Sequence, residues 1–277
     1  MAARLPGWAG LAPYGVYVSQ LLISVTALLG LFVGSFLNVV IYRVPRGESV
    51  VRPRSHCPGC GTQLAERDNV PVLSWLILRG RCRTCGESIS IRYPLVEGLT
   101  SVGFAALAWH FGLVWTLPAF LYLGAIGIAL AAIDIDTHRL PDAIVKPSYA
   151  VAAVLLGGAA VLDRDPGALA RAALGGMALG AFYLLLAFVN PRGMGWGDVK
   201  LSGVLGMYLG WLSWGSVLVG GFLGFLLGGL IGSALMLVGR AGRKSKIPFG
   251  PFMIGGVFLA VFFGDSLSLW YRGVLGF

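Results

Sequence analysis

Two aspartates and four cysteines carry most of the chemical possibilities in this 277-residue chain. Asp134 closes a long apolar stretch in Ala132-Ile133-Asp134-Ile135-Asp136-Thr137, and Asp198 opens another after Gly193-Met194-Gly195-Trp196-Gly197. Charge beside lipid is costly, so carboxylates in such places usually serve a function. Two carboxylates that meet can hold one proton between them, because neighbouring like charges raise one pKa and depress the other. The ionised member then takes a proton from water as it attacks a carbonyl, and the protonated member donates to the oxygen or the leaving amine. Gly193, Gly195 and Gly197 let a bound strand approach the backbone. Asp136 is near enough to tune the pair, and Lys200 to neutralise Asp198. Plainer readings stay open. An aspartate after glycines at a helix start also suits a cap. Asp136 and Asp142 suit solvated positions or partners for His138, Arg139 and Lys146, and Asp142 after Pro141 suits the first turn of a helix.

The cysteines form two C-x-x-C pairs, Cys57/Cys60 and Cys82/Cys85, separated by 21 residues. Each spacing lets two thiolates of one tight turn reach a single ion, and two such turns complete a tetrahedral zinc site. Gly59, Gly61 and Gly86 flank the turns and tolerate the positive φ such turns use. A redox dithiol or free thiols are the other readings; the matched pair of pairs favours structural zinc. His56 is read as a loop residue outside a ligand set that four thiolates already fill.

These residues must be positioned by membrane helices. Hydrophobic residues make up 57% of the chain and charged ones only 12%, with a mean hydropathy of +0.81. That is too little polar material to cover a soluble domain, so lipid is the solvent over much of the surface. The 42 glycines agree, since small residues let membrane helices approach closely. Apolar segments lie near 16–42, 94–112, 114–133, 143–162, 168–189, 199–211, 213–239 and 248–264. The 199–211 segment is the shortest, and its full span is the least supported. The first segment is too long for a signal-peptide core and lacks an A-x-A cleavage site, so it is expected to remain as a helix.

All but four of the 21 basic residues fall on one side of this arrangement: the arginines from Arg43 to Arg92, then Arg139, Lys146, Arg192, Lys200, Arg240, Arg243, Lys244 and Lys246. Arg4, Arg164, Arg171 and Arg272 fall on the other. The positive-inside rule puts the 43–93 loop in the cytosol and both termini outside, with Asp134 and Asp198 at the cytosolic boundary. There they can meet. A net charge of +9 is then topological, and nucleic acid is not an expected partner, because no basic run interleaved with aromatics occurs. Trp109, Trp115, Trp211, Trp214 and Trp270 fall at the outer boundary as an aromatic belt does, and His110 is interfacial.

Together these residues resemble the type IV prepilin peptidase family, aspartyl proteases of the bacterial inner membrane. The resemblance runs through Gly34-Ser-Phe-Leu-Asn38, both cysteine pairs, Pro71-Val-Leu-Ser-Trp75, Arg92-Tyr-Pro-Leu-Val-Glu97, Asp134-x-Asp136-Thr137, Leu140-Pro-Asp142, Gly193-Met-Gly-Trp-Gly-Asp198-Val-Lys200 and Ile247-Pro-Phe-Gly-Pro251. It implies Asp134 and Asp198 as the catalytic pair. It also implies a substrate with a short basic leader, a glycine before the cut and an apolar helix after it. Many members also N-methylate the new terminus with S-adenosylmethionine, and those commonly keep the long cysteine-bearing loop. No glycine-rich donor motif accompanies that activity here. Glu97 has three readings: a partner for Arg92, a partner for Lys200, or a residue of the methyl-donor site.

The expected architecture is therefore an all-α polytopic membrane protein with about eight transmembrane helices and a small cytosolic zinc-ribbon-like insertion between the first two. Residues 1–42 hold the first helix, 43–93 the zinc insertion and 94–277 a membrane-embedded catalytic part. A proton-coupled transporter using intramembrane aspartates is the main rival, and a scaffold for pilus assembly a third reading. The transporter would place its carboxylates nearer the midplane, with an internal repeat; the scaffold leaves the paired aspartates unexplained.

Overall fold

A computed structural model describes residues 12–57, 59–191, 193–239 and 247–275. Arg4, Arg192, Arg240, Arg243, Lys244 and Lys246, used above for orientation, lie outside these, as do Pro58 and the side chains of Trp270 and Arg272. Among the described residues the fold is helical: α1 (Ala12–Arg43), α2 (Leu73–Ile77), α3 (Arg92–Phe111), α4 (Leu117–Thr137), α5 (Asp142–Asp163), α6 (Pro166–Val189), α7 (Trp196–Leu212), α8 (Trp214–Leu237) and α9 (Gly250–Leu275). Each of the eight apolar segments becomes one helix, and α2 is a single turn within the cysteine-bearing loop. Among the described residues, five helical spans, starting at Tyr17 within α1 and at Leu117, Asp142, Pro166 and Trp214, are long and apolar enough to cross a bilayer. Two of the other three fall short for visible reasons. The α3 helix carries Arg92, Glu97 and His110; α7 has 17 residues, with Asp198 and Lys200 in its first turns. For α9 the run Gly250–Gly264 is apolar, and the side chain of Asp265, which follows it, lies outside the described residues.

Two compact units make up the chain: the described parts of Met1–Val40 with Ser49–Ala125, and Ile41–Glu48 with Ile126–Phe277. In the first, α1 lies against α3 through two glycines one helical turn apart. A Cβ at Gly30 would come within 2.7 Å of the Ser101 Cα, and one at Gly34 within 2.7 Å of the Glu97 Cα. Hydrogen bonds from Ser101 Oγ to the Ala27 carbonyl (2.8 Å) and from Asn38 Nδ2 to the Tyr93 carbonyl (3.1 Å) lock the pair. Small residues at four-residue spacing are the usual way for membrane helices to gain close contact, since lipid offers no hydrophobic drive between them.

In the second unit the closest pairs are α6 with α7 and α8 with α9. Glycine seams explain both. A Cβ at Gly175 of α6 would lie 2.7 Å from the Gly206 carbonyl oxygen and 2.8 Å from the Gly210 Cα of α7. A Cβ at Gly256 of α9 would lie 3.0 Å from the Gly220 carbonyl oxygen of α8. Short turns join α4 to α5 and α6 to α7, so the end of α4 and the start of α7 come to the same end of the unit. Asp134 and Asp198 are there.

Candidate active site and metal centre

Helix α4 continues past the predicted end of its apolar stretch to Thr137, which puts Asp134 in the last helical turn. His138 stops the helix by taking a left-handed conformation (φ 53°), its amide bonding the Asp134 carbonyl at 2.8 Å. This is the single-bond helix ending that glycine usually supplies. Leu140 and Pro141 then turn the chain into α5. Asp134 is 5% exposed, and its Oδ2 accepts the Gly250 amide at 2.9 Å.

Asp198 sits in the first turn of α7, where its Oδ2 accepts the Gly195 amide at 3.2 Å. It is thus a helix cap, as the plainer reading had it, and it also lines a cavity of about 580 Å3 together with Asp134. Gly195 and Gly197 line the same cavity, as do Thr137, His138 and the Arg139–Pro141 turn. Gly197 has a specific reason to be glycine, because a Cβ there would lie 2.9 Å from the Leu140 Cβ. Val44 and Pro45, which follow α1, complete the wall beside Trp196. Sequence reasoning gave no role to Val44, Pro45, Trp196 or Gly250. Trp196 and Gly250 fall inside motifs carrying the resemblance, whereas Val44 and Pro45 fall outside all of them.

Asp136 and Lys200 do not line the cavity. Asp136 is exposed. Lys200 Nζ contacts both Asp142 oxygens, at 2.8 and 3.0 Å, instead of neutralising Asp198. Asp142 opens α5 and also pairs with Lys146 at 2.7 Å, two roles its position suggested. Glu97 accepts the Val72 amide at 2.6 Å, fastening the loop where Val72 takes an unusual positive φ of 61°.

In the first unit the four cysteine sulfurs lie within 4.8 Å of one another. The two turns are copies. Cys57 N–H bonds the Thr62 carbonyl and Gly61 N–H the Cys57 carbonyl, both at 2.9 Å; Cys82 N–H bonds Glu87 at 2.8 Å and Gly86 N–H bonds Cys82 at 2.9 Å. An antiparallel bridge flanks each, His56 with Gln63 and Arg81 with Ser88. Gly61 and Gly86 take positive φ as expected. Gly59 makes room for the Glu87 carboxylate, which a Cβ there would overlap. His56 stays outside the cluster, its Nδ1 3.1 Å from the Arg54 carbonyl.

Metal–sulfur bonds of ~2.3 Å in a tetrahedron require sulfurs ~3.8 Å apart, and Cys57 and Cys85 stand at 3.7 Å. The electrostatics agree. Backbone amides of Cys85 and Thr84 bring the Cys82 thiol down to about 6. The Glu87 amide also lowers Cys85, but desolvation and the three neighbouring sulfurs outweigh it and push that thiol up to about 12. Four sulfurs this close cannot all be thiolates without a cation among them. The residues fit a metal ion.

Fold and site together define a multi-pass helical membrane protein with two carboxylates in one cavity and four cysteines grouped closely enough to hold a metal ion. Known proteins are similar to this chain over most of its length. Residues 28–111 match the bacterial peptidase A24 N-terminal domain, and residues 121–237 match the type IV leader peptidase family. Proteins named prepilin leader peptidase/N-methyltransferase align over nearly the whole chain. The one from Stutzerimonas stutzeri is 34% identical over 88% of this chain and 91% of its own. The one from Pseudomonas aeruginosa is 34% identical over 91% and 94%, and the one from Aeromonas hydrophila 37% over 90% and 93%. No solved structure matches. The chain belongs to the type IV leader peptidase family.

Proposed function

We propose that this chain is a prepilin leader peptidase and N-methyltransferase. As a peptidase it removes the basic leader from type IV prepilins or pseudopilins after a glycine, at the cytosolic face of the inner membrane. The observation carrying this reading is the pair of aspartates, from helices far apart in sequence, lining one cavity at the ends of α4 and α7. In the reaction one aspartate is ionised and the other protonated. The ionised carboxylate takes a proton from water while the oxygen of that water bonds to the carbonyl carbon. The protonated carboxyl gives its proton toward the leaving amine as the peptide bond breaks. One proton has then crossed the pair, and the leader carboxylate and the new amino terminus are free. Gly195 and Gly197 support the site by letting the backbone approach the substrate.

The cytosolic placement follows from the basic loops. Lipids surround the helices, and nucleic acid has no role. The cysteines Cys57, Cys60, Cys82 and Cys85 hold a structural zinc that fixes the fold of the loop. S-adenosylmethionine is the methyl donor that the relatives' names imply. Those names give the transporter reading no support.

The test is a purified full-length protein in detergent, given a prepilin substrate and S-adenosylmethionine. Mass spectrometry of the product should show loss of the leader and gain of one methyl on the new terminus. Asp134→Asn and Asp198→Asn should each lower kcat by about 10²–10⁴-fold while leaving the fold intact. Near-normal cleavage by either variant removes that aspartate from the reaction.

A further inference from the structure

The carboxylate in the last turn of α4 is held by an amide from far along the chain. Gly250 is the first residue of α9, where an amide has no partner four residues back in its own helix. It bonds Asp134 Oδ2 instead, in a buried contact spanning 116 positions of sequence. Phe249 fixes where that amide points. Its ring packs 5.2 Å from Phe225 of α8 and 6.3 Å from Tyr183 of α6, and its carbonyl accepts the amides of Phe252 and Met253 at 3.0 and 3.1 Å. Only hydrogen fits as the side chain, because a Cβ at Gly250 would lie 2.8 Å from Asp134 Oδ2 and 3.3 Å from Leu140 Cδ2. Asp198 has the same arrangement with Gly195, whose Cβ would lie 2.9 Å from Asp198 Oδ2.

We propose that Gly250 is a positioning residue for peptide cleavage, its amide engaging one oxygen of Asp134 so that the other alone serves the reacting water and the shared proton. This rests on the aspartyl-peptidase reading above. Within a carboxyl group the unprotonated oxygen is the better acceptor, so the oxygen engaged by an amide is the one that does not carry the proton. With Gly195 acting likewise on Asp198, one oxygen of each aspartate is left for the exchange. The water proton reaches the free oxygen of the ionised member, and the free oxygen of the other releases its proton to the amine. Both carboxylates are held in register for that transfer before substrate arrives.

The experiment compares full-length variants in detergent on a prepilin substrate, with thermal unfolding as the check on folding. Gly250→Ala should lower kcat by about 100-fold and leave KM within about twofold, because a displacement of about 1 Å at a reacting group has an effect of that size. Gly255→Ala makes the same change on the same helix, where the new Cβ meets only Leu227 Cδ1 at 3.4 Å; it should keep the parent kcat. Should Gly250→Ala not fold, Phe249→Leu takes its place. It loosens the anchor without adding an atom at Asp134, and should lower kcat about tenfold at unchanged KM. A parent-like kcat in folded Gly250→Ala, or in Phe249→Leu where that variant is used, overturns the inference. So does a loss confined to KM. An active Asp134→Asn overturns the aspartate pair itself, whereas an inactive Asp134→Asn beside a fully active Gly250→Ala overturns only the role of Gly250.

Discussion

At the scale of residues, the aspartates and cysteines stand out in sequence because their surroundings make them costly or oddly spaced. Charge is conspicuous beside lipid, and paired C-x-x-C turns leave few alternatives. What the sequence hides is which partner each polar group takes. Lys200 lies two positions from Asp198 and was expected beside it. Residues two apart on a helix do not share a face, and Lys200 reaches Asp142 on α5 instead. Its side chain and that of Asp142 are 39% and 43% exposed, so this ion pair is worth only about 0–1 kcal/mol. Lys200→Met should therefore lower the melting temperature slightly and leave kcat within about threefold of the parent, measured beside the inactive Asp198→Asn. The Gly250 contact is hidden for a different reason: its donor is backbone, and its acceptor lies 116 residues away.

At the scale of elements, the apolar runs predict each long helix, and the errors gather at the ends. Helix α4 runs four residues past its apolar run, because Asp134 and Asp136 keep helical backbone although they break the hydrophobic pattern. The 199–211 stretch grows at both ends to Trp196–Leu212 but stays short. Pairing between helices was not legible beyond the general sense of many glycines, since a glycine reveals its partner only in three dimensions. The α6–α7 seam gives that partner a measurable consequence. Gly175→Ala drives a methyl against the Gly206 carbonyl and the Gly210 Cα, and overpacking of this kind costs about 1–3 kcal/mol. Thermal unfolding in detergent should show the loss. Because α7 carries Asp198, the rate of cleavage should fall with it, whereas Gly157→Ala, where an added Cβ meets nothing within 4 Å, should change neither.

At the scale of the whole molecule, two compact units divide the chemistry. The cysteines belong to one and the aspartates to the other. Composition announced a membrane protein with a polar insertion, but the way α1 and α4 each pass from one unit to the other could not be read from hydropathy. Elemental analysis should find about one zinc per chain. Withdrawing it with a chelator should lower the melting temperature, more steeply at acid pH, because protons compete with the ion for the thiolates. The likeness of the two cysteine turns, repeated bond for bond, carries a further consequence. Each turn supplies half a coordination sphere, and neither half retains an ion by itself. Damage should therefore saturate: Cys57→Ser should cost nearly as much stability as Cys57→Ser with Cys60→Ser, the signature of a clasp that is either shut or open.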